Sequence, residues 1–201
     1  FVNEFNPDII VGFNNNNFDW PYLIERTEVN KVDLPITREG FKPHKSLYGH
    51  ISIAGRANLD LLDFVKDIPE IKLETLEELA EFLKIKNDKD KLLIGDIISN
   101  IEAEEEKKLL LKGSLTNAKL ILECFKMLLE FFIQLSSVTG IPLDQVIAAP
   151  VGFKVDSYLI RQAYRLKELI PKRKEQIYQS YRGGMVLSPK LGIHKNIAVL
   201  D

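Results

Sequence analysis

Asp19 is the residue whose type and setting most invite chemistry. It follows a β-rich apolar run, Asp8 to Phe13, and four consecutive asparagines, Asn14 to Asn17. Open α/β folds bind ligands beyond the carboxyl ends of their strands, so a carboxylate at the mouth of such a turn is placed to hold a hard cation. Metal-assisted cleavage of a phosphodiester requires several carboxylates converging on two divalent ions. Asp19 is one such group, and spacing alone does not reveal the others. The structural alternative is a helix N-cap: Pro21 sits where a first helical turn accepts proline, and base rates for Asp in that setting favour the cap. Other reactive side chains offer less. His44, His50 and His194 lack metal-ligand spacing and have no cysteine partners, so they are expected at the surface or satisfied internally. Cys124, the single cysteine, excludes an internal disulfide framework and fits a reducing compartment. It falls on the apolar side of a predicted helix and is expected to be a small core residue. Phe125, Phe131 and Phe132 are expected in the core too, rather than as a base-stacking platform.

The elements that must position Asp19 follow from local patterning. Asp8 to Phe13 (DIIVGF) reads as a buried strand. The asparagines suit a tight strand-to-helix turn, because Asn tolerates left-handed φ and bonds its own backbone. Tyr22 to Val29 continues as a short helix, and residues 30–48, with Pro35, Gly40 and Pro43, read as a long loop. Ile51 to Ala54 and Ala57 to Val65 are strand-like around Gly55-Arg56. Thr75 and Glu78 form a capping box ahead of apolar residues at 76, 79, 80 and 83. Glu102 to Leu111 runs from acidic to basic, the charge order that suits a helix dipole, and its acid run is otherwise a solvated face. The strongest helix is predicted over Leu115 to Val138, with apolar side chains at 118, 121, 122, 125, 128, 129, 132 and 135, ended by Gly140 and Pro142. A further helix spans about Val155 to Leu169, and Tyr181 to Leu187 and Ile197 to Leu200 read as strands. This order is mixed α/β.

Composition bounds the partners. The chain has 201 residues, 45% apolar and 28% charged, which argues for a packed core rather than disorder. Net charge is −2, so affinity for nucleic acid must come from local patches. The best patch is Lys167 to Lys174, with Lys172, Arg173 and Lys174 as candidate phosphate contacts. No apolar run approaches the roughly 18 residues of a membrane helix, and there is no signal-peptide pattern. The opening on Phe1 and the close on a strand-like run, NIAVLD, lead us to expect a piece of a longer chain. The abundance of Lys, Glu and Ile would suit a thermophile.

The run Gly12-Phe13-Asn14-Asn15-Asn16-Asn17-Phe18-Asp19-Trp20-Pro21-Tyr22-Leu23 resembles the second exonuclease motif of family B DNA polymerases, G-Y-N-x-x-x-F-D-x-P-Y-L. Pro7 to Ile10 and Gly55-Arg56 with Asp60 fit the same family. Further on, Gly152 and Leu159 to Tyr164, then Ile170-Pro171, resemble its linker helix, and Tyr181-Arg182-Gly183-Gly184 resembles its Y-x-G-G motif. Pro189 to Gly192 and Val199 to Asp201 resemble the approach to the first palm motif. The resemblance covers nearly the whole chain and is weakest over about residues 84–112. It implies a ribonuclease H-like exonuclease fold, a mixed sheet flanked by helices and lacking its first strands, over residues 1–150. Residues 151–201 would be a linker helix and strands leading into the palm. By the same resemblance Asp19 binds a catalytic metal and Asn15 or Asn16 contacts the substrate strand, with Phe18 beside them. Tyr181, Gly183 and Gly184 contact template backbone, where paired glycines allow close approach to phosphate. Asp201 would be a metal ligand only in the complete polymerase.

One departure matters. The family's third exonuclease motif, Y-x-x-x-D, supplies a metal-binding Asp and a Tyr that orients the attacking water. The aligned positions here are Gly113 and Asn117, and no Tyr-x-x-x-Asp occurs anywhere in the chain. A neutral amide cannot balance a divalent cation as a carboxylate does. Losing the carboxylate and the phenol together is expected to cost orders of magnitude in rate. The motif preceding the second, an Asp-x-Glu strand, is expected upstream of Phe1, so this segment alone is expected to be inert as nuclease and as polymerase. The resemblance implies a DNA-directed DNA polymerase of archaeal type, cytoplasmic and nucleoid-associated, acting in replication or repair. It would use Mg²⁺ or Mn²⁺ and deoxynucleoside triphosphates on primer–template DNA, with a sliding clamp or other replication proteins as further partners. Loss of a ligand leaves open that the segment itself binds no metal. Three functions stay open: a degenerate DNA-contacting module, a working proofreading nuclease with a substitute ligand, and an interaction scaffold.

Overall fold

A computed structural model describes residues 1–66, 73–85, 104–172, 191–193 and 195, with the backbone alone at 104 and 106. By packing, the chain divides into Phe1–Leu169 and Ile170–Asp201. In the first unit a short helix α1 (Val2–Phe5) precedes strand β1 (Ile9–Gly12), where three β-branched residues in succession favour extended backbone. A π-helical turn (Asn15–Asp19) leads without a break into α2 (Trp20–Asn30), with Pro21 in its first turn. Strands β2 (His44–Lys45) and β3 (Ile51–Ser52) form a small antiparallel pair. Strand β4 (Ala57–Asp60) pairs with β1 in parallel, in the register Ile9↔Ala57 to Gly12↔Asp60. A parallel pair needs a long crossover, and α2 with the loop behind it supplies one.

Two arginines fix the start of this pair. Buried Arg56 donates to the carbonyls of Ile36 (2.8 Å) and Pro7 (2.5 Å) and to Asn6 Oδ1 (3.0 Å). Arg38 donates to Gly55 O at 2.9 Å and pairs with Asp8 at 2.7 Å. Gly55 lies at φ +80°, and a Cβ there would stand 2.7 Å from Arg38 Cβ, so both its backbone angle and its bareness are used.

The sequence expectation of a strand over Ala57 to Val65 holds only to Asp60. From Leu61 the chain is helix α3 (Leu61–Lys66), because Asp60 Oδ1 accepts the amide of Leu62 at 3.0 Å and caps it. The capping box at Thr75 is present in full and starts α4 (Leu76–Phe82). Helix α5 runs Glu104–Thr139, well ahead of the predicted start at Leu115. Residues 104–112 are mostly Glu, Lys and Leu, strong helix formers, so the first predicted helix and the second are one rod through Gly113. It ends at Gly140, φ +75°, where Arg161 donates to Ser137 O. Helices α6 (Leu143–Ala148) and α7 (Val151–Leu166) follow, and α7 packs on α5 and so goes with the first unit.

The main core joins Leu59, Leu61 and Val65 to Leu76, Leu79 and Ala80 of α4, Leu120, Cys124, Phe125 and Phe132 of α5, and Val146 and Ile147 of α6. Cys124 is buried and its thiol is pushed up to about 11 by burial, an inert core residue as expected. The inward face of α5 is rotated from the predicted one: Leu120 and Cys124 are buried while Ala118 and Leu122 are exposed. Phe131 corrects another expectation, being half exposed, with its ring touching Phe64 and Phe132 at the core edge. A second cluster, Trp20, Ile36, Ile51 and Ile53, sits under α2. His44 is exposed. His50 is buried, with Nδ1 2.7 Å from Ser46 Oγ and Nε2 3.5 Å from Asp144 Oδ2, the latter too long for a well-formed hydrogen bond. No helix among the described residues is long and apolar enough to cross a membrane.

Candidate nucleic-acid interface

The register of β1 against β4 brings Gly12 beside Asp60, and the Asn14–Asp19 turn grows from that point. Asn14 adopts the left-handed conformation, φ 65°, as four asparagines in a row allow. Its amide donates to Asp60 Oδ1 at 2.7 Å, and the amide of Asn16 donates to Asp60 Oδ2 at 2.9 Å. Asp60 is about 1% exposed. Burial pushes its carboxyl up, and repulsion from Asp63 adds to this, against the three backbone N–H donors of Asn16, Asn14 and Leu62, which pull it down.

The next two residues face inward. Asn16 spends its whole amide group: Nδ2 donates to Asp63 Oδ2 at 2.9 Å, and Oδ1 accepts from Ile51 N and Asn58 Nδ2, each at 2.9 Å. Asn15 Nδ2 donates to Asn58 Oδ1 at 3.1 Å and to Leu59 O at 3.3 Å, while its Oδ1 is buried with no partner among the described residues. Bare Gly12 makes room for it, since a Cβ there would lie 2.6 to 2.8 Å from Asn15 side-chain atoms. Asn58 completes the network by accepting the Trp20 indole N–H at 2.9 Å and donating to Ile51 O at 2.8 Å. Burial of so many amides is tolerated because nearly every one is paired.

Asn17, Phe18 and Asp19 face out. Phe18 is 65% exposed and lies parallel to Tyr22, 56% exposed, with ring centroids 6.4 Å apart. Asp19 stands at the N-cap position of α2, as its sequence setting favours, yet its side chain makes no cap hydrogen bond. The π-helical turn already has Asp19 in helical backbone geometry, which leaves its carboxylate without a hydrogen bond among the described residues. Partial burial raises its pKa.

Gly113 is buried and Asn117 exposed, both within α5. Asn117 therefore lies several turns inside the helix. Lys172 is exposed, while Arg173, Lys174, Tyr181, Gly183, Gly184 and Asp201 lie outside the described residues. A divalent-metal centre fits poorly on what is described. Asp19 offers one carboxylate, both oxygens of Asp60 are taken by backbone amides, and no cluster of three metal-ligating side chains occurs among the described residues. Asp60 and Asn58 were missed as site residues. They lie more than forty positions from the turn they hold, and only the strand register brings them there.

Comparison with known proteins gives this geometry a family. Residues 1–79 match the family model described as DNA polymerase family B, exonuclease domain. "DNA polymerase 2" of Aeropyrum pernix is 42% identical over the whole chain, and the "DNA polymerase" of Archaeoglobus fulgidus 35%. The solved family B DNA polymerase from Pyrobaculum calidifontis superposes with a TM-score of 0.77 at 43% identity, over 94% of this chain and 25% of that one. The mixed α/β fold is thus consistent with the exonuclease domain of a polymerase, the class that the family match gives to residues 1–79. The chain belongs to the family B DNA polymerases, with archaeal members as its relatives. It spans about a quarter of the length of the curated relatives it matches.

Proposed function

We propose that this segment is the ribonuclease H-like exonuclease module of an archaeal DNA-directed DNA polymerase, one that holds a single-stranded 3′ end but proofreads weakly or not at all. The observation that carries the proposal is the mismatch between its two halves. Asp19 makes no cap hydrogen bond and is presented beside an exposed aromatic ring, whereas position 117 offers a neutral amide and position 113 no side chain. Phe18 is suited to stack a base, an interaction worth about 1–3 kcal/mol per base and indifferent to sequence. Both candidate contact asparagines, Asn15 and Asn16, turn their side chains inward, so their part in holding the strand is to shape the turn that presents Phe18 and Asp19.

Mg²⁺ or Mn²⁺ and deoxynucleoside triphosphates would serve the complete polymerase. Residues 151–201 would lead toward its palm, with Tyr181, Gly183 and Gly184 on the template, Lys172, Arg173 and Lys174 on phosphate, and Asp201 as palm ligand. The test is binding of a 3′-frayed primer to the complete polymerase at several salt concentrations. Phe18→Ala is expected to weaken binding about tenfold, and charge removal at Lys172, Arg173 and Lys174 to flatten the salt dependence. Unchanged binding in both variants would refute the DNA-holding role.

A further inference from the structure

We propose that Asp60 is a positioning residue for Phe18 and Asp19, the internal anion that holds the DNA-facing turn in shape. This rests on the reading that the turn meets a single-stranded 3′ end. Turns whose successive N–H groups converge make anion-binding concavities, which many proteins offer to phosphate. Here the concavity formed by the amides of Asn14 and Asn16 is already filled, at 2.7 and 2.9 Å, by the two oxygens of one carboxylate. The turn therefore offers no phosphate site on its inner side. Its left-handed Asn14 and its run into α2 are set by a side chain on the neighbouring strand.

A purely structural role, capping α3, would need only one oxygen. Oδ1 alone takes the amides of Asn14 and Leu62, while Oδ2 is given to Asn16. The charge is held in a buried place that resists it, and neighbouring Asp63 adds repulsion. A neutral Asn would cap α3 as well, so the second oxygen serves the turn. Below Asp60, Asn58 and Trp20 brace the exit of the same turn from inside.

The experiment is a double-mutant cycle in the complete polymerase with Asp60→Asn and Phe18→Ala, read by affinity for a primer bearing a frayed 3′ end labelled with 2-aminopurine. Asp60→Asn keeps a cap for α3 but turns an N–H donor toward the amide of Asn16. The expected result is that each single variant loses affinity about tenfold or more and that the double variant loses little beyond either. Additive losses, or full affinity in Asp60→Asn beside a weakened Phe18→Ala, would overturn the positioning role alone. Full affinity in Phe18→Ala would overturn the DNA-facing reading and the proposal with it. Should Asp60→Asn fail to fold, hydrogen exchange in the unaltered protein decides: the amides of Asn14 and Asn16 must be protected, and exchange at open-loop rates would overturn the clamp.

Discussion

Asn15 and Asn16 are neighbours in sequence, almost equally buried, and opposite in what they leave unspent. Asn16 links β3, β4 and α3 through three side-chain bonds, so Asn16→Ala strands Ile51 N–H, an Asn58 amide hydrogen and an Asp63 oxygen. Loss of such buried partners costs about 1–3 kcal/mol each when left unsatisfied. Asn16→Ala should therefore lower the thermal midpoint clearly more than Asn15→Ala, whose partner Asn58 Oδ1 keeps the Trp20 indole. Differential scanning calorimetry of the pair checks this; equal shifts would contradict it. Asp60 adds a pH signature. Its folded pKa is raised above the unfolded value, so the folded state binds more protons in the window between them. Its contribution to stability is most favourable below that window and declines as pH rises through it. Urea unfolding of the wild type against Asp60→Asn should show the difference shifting toward the wild type as pH is lowered from neutral into that window.

At the scale of elements, what is local was legible. Strand β1, the Pro-started α2 and the capping box at Thr75 each follow from side chains within a few positions of the backbone groups they satisfy. Thr75→Ala should destabilise the domain by about 1 kcal/mol. Glu78 supplies the other half of that box, and bonds from the amides of Glu74 and Thr75 lower its pKa. Its help is thus present above the unfolded pKa and lost as pH falls through the lower folded one, the opposite sign to Asp60. Where the pattern misled, a distant or competing contact decided. The apolar run after Ala57 breaks into α3 because Asp60 turns back on Leu62. Gly113 did not stop α5, since one interior glycine costs only about 1 kcal/mol against a rod packed on α4, α6, α7 and β1. Gly12→Ala should be costlier than a surface change, because its Cβ meets Asn15 at 2.6 to 2.8 Å. Loosening of the turn would appear as a changed Trp20 environment in the near-ultraviolet circular dichroism.

For the whole molecule, the motif around Asp19 was legible because it is contiguous. The clamp behind it was not, because it is assembled across a parallel strand pair. Along helix α7, Val151, Val155, Leu159 and Leu166 are exposed among the described residues. The complete polymerase is the proper object for the decisive test. Digestion of a 3′-mismatched primer should be measured in Mg²⁺ and in Mn²⁺ for the unaltered enzyme, for Asn117→Asp, and for Asn117→Asp with Gly113→Tyr. Asn117 is exposed, so the single change should be borne without loss of fold. The expected result is negligible digestion by the unaltered enzyme and a gain once a carboxylate stands at 117. Ordinary 3′→5′ digestion by the unaltered enzyme would contradict a proofreading fold that has lost its chemistry.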